Sequence, residues 1–274
     1  MPDVTPFYLW GTAKSGKTWL KQLLCGHPAV AGLDEPHLTD KLLPSIKDSY
    51  DKYKTEYKHS KTSNLLNIDD EIINIYKSII KNMSVNISGD VPIRWLGDDT
   101  PETIYVSDFC RAAFPEARFI LVLRDGRDAM AASWYAECQK QPELTLQLCP
   151  SVEAYAPAYA KAWCYVIETA TSFGTEYPKY FHILRYEDLV TSPVETVRTA
   201  LEFLGESLSP SDIENAFDDY GLRREEDKWC RPVPEDKNWA KLGEVGYWRE
   251  NLSADAVAAF NEVAGGPLSK MGYA

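Results

Sequence analysis

The stretch "GTAKSGKTW", Gly11 to Trp19, decides how the chain is read, because it meets the phosphate-loop pattern G-x-x-x-x-G-K-[ST] at Gly11, Gly16, Lys17 and Thr18. Before it runs the short apolar "FYLW", Phe7 to Trp10, and after it "TWLKQLLCG" has helical character until Gly26 and Pro28 stop it. Strand, glycine-bearing loop and helix form the context this motif requires. The two glycines let the backbone curl, so that several N–H groups and the start of the helix converge on one anion. Lys14 and Lys17 add positive charge there, and the Thr18 hydroxyl can meet a phosphate oxygen or a magnesium ion. The loop specifies a phosphate but not the nucleotide that carries it.

Working outward, "ARFILVLRDGRDAMAASWYAEC" repeats the strand-to-helix pattern, with Phe119 to Leu123 as a fully buried strand and a helix from about Asp128. "YFHILRYEDL" supplies another strand, and helices are expected over Val152 to Phe173, over "SPVETVRTALEFLG" and over "SADAVAAFNEVAGG". In the second of these Ser192 and Glu195 read as a capping box, with Pro193 in the first turn. "IDDEIINIYKSIIKNM" places Ile72, Ile75, Ile79 and Met83 on one helical face. Lys41 to Ser63, polar and lysine-rich, reads as a solvated insertion able to cover a substrate mouth. Buried apolar strands separated by helices predict an α/β fold, a single three-layer domain with a central parallel sheet.

The 274 residues suit one such domain, and a net charge of −12 argues against nucleic acid or an anionic membrane as partner. The N-terminus has no basic start and no apolar run of signal length, and no later segment approaches a membrane span, so a cytoplasmic protein is expected. Cys25, Cys110, Cys138, Cys149, Cys164 and Cys230 lack metal-type spacing and read as idle thiols, and the four scattered histidines suggest no metal site.

Arg124 is the first discriminating residue. A nucleotide hydrolase ends a strand beside its loop with an aspartate for magnesium, whereas Phe119 to Leu123 ends in an arginine, which suits a second anion. Two phosphate positions fit a nucleotide phosphorylated at both ends. "KSGKTWLKQLLCGHPAV", "RFILVLRDGRDAMAAS", "LRYEDLVTSP" and "GEVGYWRENLS" then occur in the order and spacing of the sulfotransferases that use 3′-phosphoadenosine 5′-phosphosulfate (PAPS). The chain resembles that family from Phe7 to Tyr273, with only a loose match over Lys41 to Val91, and looks most like its bacterial small-molecule members.

The resemblance implies a P-loop-containing nucleotide-hydrolase-like fold, a single sulfotransferase domain over residues 1–274, PAPS as donor, PAP as product and no metal. It assigns Lys14, Ser15, Gly16, Lys17 and Thr18 to the 5′-phosphosulfate, with Lys14 also on the leaving phosphate, and sets Trp19 against the adenine. Arg124, Ser133, Lys241, Leu242 and Gly243 fall to the 3′-phosphate and Tyr186 beside the nucleotide, while Glu187 and Asp188 are left to the following turn and cap. Four positions depart from the family. Lys17 stands where threonine is common, Ser133 comes one residue late with Ala132 in its place, Leu242 replaces a basic residue, and Asp99 replaces a lysine. For the base that takes the acceptor's proton, Glu35 is the first candidate, followed by His37 and Asp99.

The acceptor is a small molecule whose identity the sequence does not encode, and neither is the oligomeric state. The carboxylates Asp34, Glu35, Asp98 and Asp99 would suit a cationic natural product, sulfated on a hydroxyl or on an amine or guanidine nitrogen. Two rival readings use the same loop: a small-molecule kinase working with Mg-ATP, and a non-enzymatic nucleotide-binding switch.

Overall fold

The computed structural model describes residues 4–61, 68–87, 91–220 and 241–273. Five strands, β1 (Thr5–Trp10), β2 (Val30–Leu33), β3 (Trp95–Asp98), β4 (Arg118–Leu123) and β5 (Phe181–Arg185), form one sheet in the order β2-β3-β1-β4-β5. Every pairing is parallel. The helices are α1 (Lys17–Leu24), α2 (Leu43–Glu56), α3 (Ile68–Ile87), α4 (Ser107–Ala113), α5 (Gly126–Lys140) and α6 (Pro142–Leu148). They continue with α7 (Val152–Glu176), α8 (Tyr186–Thr191), α9 (Pro193–Leu204), α10 (Pro210–Tyr220), α11 (Trp248–Asn251) and α12 (Ala254–Lys270). None of the described helices is long and apolar enough to cross a membrane.

Side chains along a strand alternate between faces, and the two central strands use this to bind both helix layers. Tyr8, Trp10, Phe119, Leu121 and Leu123 pack with Met130, Trp163, Ile167 and Phe260 from α5, α7 and α12. Phe7, Leu9, Ile120 and Val122 point the other way, onto Leu20, Leu24, Val197, Leu201 and Ile213 of α1, α9 and α10. A third cluster joins Ala31 and Leu96 of β2 and β3 to Leu43, Ile72, Tyr76 and Ile80 of α2 and α3. The three-layer α/β expectation therefore holds, with β1 central and its carboxyl end in the crevice where open parallel sheets bind ligands.

Three local expectations change, and two strands are added. Within Lys41 to Ser63 the chain is helical as far as Glu56, a π-helical turn (Leu38–Leu42) running into the largely exposed α2, with Leu38 and Leu43 buried in one cluster with α3 residues; residues 62 and 63 lie outside the described residues. Ser192 precedes α9 without a side-chain cap bond, and Glu195 instead accepts from Arg198 Nε at 3.0 Å, so the capping box is not formed. The last helix continues through Gly265, Gly266 and Pro267 to Lys270, where buried Leu268 packs with the α7 layer and outweighs poor helix propensity. The short strands β2 and β3 had no sequence signal, each being four residues with a glycine inside: VAGL and WLGD.

Candidate active site

All five strand ends deliver polar residues to one edge. After β1 the loop passes through left-handed backbone at Gly11 (φ 148°), Lys14 (φ 62°) and Gly16 (φ 100°). A Cβ on Gly11 would lie 2.4 Å from Ser15 Oγ and 2.8 Å from the Val122 carbonyl, and one on Gly16 would lie 2.5 Å from the Tyr186 ring. Only glycine fits either position. No side chain caps the N-terminus of α1, and the buried Ser15 Oγ has no hydrogen-bond partner. An orphaned hydroxyl beside uncapped helix N–H groups fits an incoming anion.

Lys17 points inward. Its Nζ donates to the Gly11 carbonyl at 2.9 Å and the Thr12 carbonyl at 3.4 Å, and burial lowers its pKa from 10.5 to about 8. Tyr159 on α7 donates its hydroxyl to the Ala13 carbonyl at 2.5 Å, so a second layer holds the loop from outside. Lys14 is half-buried, Thr18 is exposed, and Trp19 meets the Tyr186 ring edge-on at 5.9 Å.

Arg124, beyond β4, joins the loop to the C-terminal segment. It donates to the Lys14 carbonyl at 2.8 Å and the Leu242 carbonyl at 2.6 Å, lies 4.2 Å over the Tyr186 ring, and keeps a buried Nε–H without a partner. The Tyr186 hydroxyl donates to the Gly243 carbonyl at 2.8 Å. Lys241 is exposed, Leu242 is buried, and buried Ser133 bonds the Tyr155 hydroxyl at 3.0 Å. Lys14, Arg124, Tyr186 and residues 241–243 thus meet in one place.

Sequence reasoning missed the residues that fix this arrangement. Asp128, in the first turn of α5, accepts from the Gly246 and Trp248 N–H groups, both at 2.8 Å. Asp125 binds Arg127 and the Trp248 indole N–H at 3.2 Å, with the Arg127 guanidinium 3.8 Å over the Trp248 ring. Glu187 does not cap the following helix; it accepts from the Asp125 N–H and the Tyr273 hydroxyl, each at 2.9 Å. The run of charge in "RDGRD" was the available signal, since four charged residues at a buried strand end need partners.

On the other side of β1 the residues are acidic. The end of β3 carries Asp98 and Asp99, both buried. A carboxylate does therefore stand on a strand next to the loop, on β3 rather than at the β4 end occupied by Arg124. Asp99 Oδ2 accepts the Thr18 hydroxyl at 3.0 Å, while Oδ1 accepts Lys21 Nζ at 2.8 Å and the Glu35 N–H at 3.1 Å. Asp98 accepts from the Thr100 N–H at 2.8 Å, and burial raises its carboxyl to about 6. Glu35 is exposed and takes left-handed backbone, φ 38°. His37 does the same at φ 48°; its Nδ1 lies 2.9 Å from Asp40, a bond that raises its pKa, and 3.9 Å from Glu102. Donor atoms of His37, Asp40 and Glu102 lie within 4.8 Å of one another, a grouping hidden in the sequence because its carboxylates come from separate segments.

The chain is similar to several known proteins. Zebrafish (Danio rerio) protein-tyrosine sulfotransferase 1 is 23% identical over 202 residues, covering 74% of this chain; the chain spans about half, 53%, of that relative's length. The solved structure of sulfotransferase STF9 from Mycobacterium avium superposes with a TM-score of 0.58 at 14% identity, over 100% of this chain and 78% of that one. Mouse sulfotransferase SULT7A1, complexed with PAP, gives 0.56 at 13% identity, over 97% and 85%. At such identities these two structures speak for the fold. A family model described as "Sulfotransferase family" matches residues 6–210, from β1 through α9, and the chain belongs to that family.

Proposed function

We propose that this chain, acting as one domain over residues 1–274, transfers the sulfuryl group of PAPS to a hydroxyl, amine or guanidine nitrogen of a small-molecule acceptor. The carrying observation is the pairing on one sheet edge of a loop with an orphaned Ser15 hydroxyl and a buried arginine with an unpartnered Nε–H. Each fits one end of a nucleotide phosphorylated at both ends. When bound, PAPS supplies the activated sulfuryl group. The loop from Lys14 to Thr18 holds its 5′ side, Trp19 and Tyr186 offer ring faces to the base, and Arg124, Ser133 and Lys241 to Gly243 hold its 3′-phosphate.

Lys14 stabilises the negative charge that develops on the departing phosphate. Glu35 takes the proton from the attacking acceptor atom, with His37, backed by Asp40, as the second candidate. Asp99 suits this task poorly, because it is buried and both its oxygens already accept donors. Asp34 is paired with Lys21 at 2.7 Å and Asp40 with His37 at 2.9 Å, which leaves Glu35 and Glu102 to attract an acceptor bearing an ammonium or guanidinium group.

Calorimetric titration with PAP, ATP and GTP, each in EDTA and in magnesium, tests the reading. Tight binding of PAP without metal is the expected result; preference for Mg-ATP or Mg-GTP would overturn it in favour of a kinase or a switch. PAP release from PAPS is then followed with an acceptor pool of cationic, neutral and anionic compounds and a tyrosine peptide. Glu35→Gln and Lys14→Ala should each lower turnover by about 10² or more.

A further inference from the structure

Asp99 is 1% exposed, yet it receives three donors from two separate segments. The Thr18 hydroxyl comes from the first turn of α1, Lys21 Nζ from its second turn, and the Glu35 N–H from beyond β2, at 3.0, 2.8 and 3.1 Å. Lys21 is equally committed, with Nζ 2.6 Å from the Leu33 carbonyl, 2.7 Å from Asp34 Oδ1 and 2.8 Å from Asp99 Oδ1. One residue on, the Thr100 hydroxyl accepts the His37 N–H at 3.4 Å. The turn at 35–37 keeps two non-glycine residues in left-handed backbone, which persists only where surrounding contacts impose it.

We propose that Asp99 is a positioning residue that sets the register of the Glu35 turn against the phosphate loop, and that Lys21 acts by neutralising the charge of Asp99 inside the fold. Both bonds from the loop side and the bond from the turn end on one carboxylate, so the distance between Thr18 and the Glu35 backbone is fixed by a single rigid group. Asp99→Asn keeps the shape and one acceptor oxygen, but it loses the acceptor that meets the Thr18 hydroxyl and the charge that strengthens the bonds from Lys21 and the Glu35 N–H. Removing Lys21 instead leaves a buried carboxylate without its counter-ion, which is costly to the fold. The proposal rests on Glu35 being the base, and the variants below separate the two ideas.

The full-length chain is compared as wild type, Asp99→Asn, Lys21→Met, Lys21→Arg, the double variant Asp99→Asn/Lys21→Met, and Glu35→Gln. PAP affinity is read by calorimetry, amide exchange across residues 33–38 by mass spectrometry, stability by thermal unfolding, and PAPS turnover with the acceptor pool. In Asp99→Asn, PAP affinity and the KM for PAPS stay within about threefold, exchange at 34–37 quickens about tenfold or more, and kcat falls about tenfold or more. Lys21→Arg retains most of the protection. The double variant regains the stability lost in Lys21→Met, because no lone charge remains, but stays fast in exchange and low in kcat. Wild-type protection at 34–37 in Asp99→Asn overturns the proposal, as does a double variant that recovers kcat along with stability. Full turnover in Glu35→Gln overturns the base assignment alone, and the exchange results still decide the register.

Discussion

Beyond β1, β4 and β5 the site is tied together mainly through main-chain atoms: Arg124 on the carbonyls of Lys14 and Leu242, Tyr186 on that of Gly243, Asp128 on the N–H groups of Gly246 and Trp248. Beyond β2 and β3 it is tied by side-chain charge: Lys21 between Asp34 and Asp99, and His37 between Asp40 and Glu102. Main-chain ties tolerate little change in backbone geometry. Charge ties depend on ionisation and can be exchanged among residues. The first half is thus set mainly by backbone geometry, and the second by the ionisation of its side chains.

The sharpest way to break this contrast is Gly16→Ala. It forces a side chain into left-handed backbone and 2.5 Å from the Tyr186 ring, two effects of about 1–3 kcal/mol each. PAP binding measured by calorimetry should fall about a hundredfold or more, and a variant that binds normally would mean the loop is not held as described. Gly97→Ala probes the other half. Its Cβ would meet the Phe7 ring at 2.4 Å, so denaturant unfolding should show about 1–3 kcal/mol of lost stability, while PAP affinity changes less than about threefold because β3 lies on the acidic side.

The smallest effect concerns Lys17, a buried charge in the main-chain half. Its pKa is lowered from 10.5 to about 8, so between these values the unfolded chain holds the proton that the folded chain has lost. Stability therefore rises with pH across that window, as the desolvation cost of the buried ammonium disappears. PAP affinity should move the other way, weakening severalfold from pH 7 to pH 9.5 as the loop loses a positive charge, roughly the loss expected for one nearby charge. Lys17→Met should flatten both trends, and a wild-type curve parallel to that of the variant would count against the assignment.

Much of the main-chain half was legible in the sequence. The loop and Arg124 sit at the ends of six-residue buried strands and Tyr186 at the end of β5, and their motifs lie close to those strands along the chain. The acidic half was legible only as a set of letters. "VAGL" and "WLGD" carry Gly32 and Gly97, which weaken the strand pattern, yet each glycine is required by a packed neighbour: the Lys21 stem 2.8 Å from a Cβ on Gly32, and the Phe7 ring on Gly97. Without β2 and β3 in place, Asp99 reads as a candidate base, and nothing marks Lys21 as its partner.

What the sequence by itself determined is the order of strand, loop and helix, the alternation that buries both faces of β1 and β4, and the family. These depend on local periodicity and on residues adjacent in the chain. What only the tertiary structure decided is the state of each charged side chain. Lys17 braces its own loop, Arg124 bridges two segments 110 and 118 residues away from it, and Asp99 gathers three donors from two segments. A buried charge is settled by whichever partners the fold brings within about 3 Å, and those partners have no fixed separation in sequence.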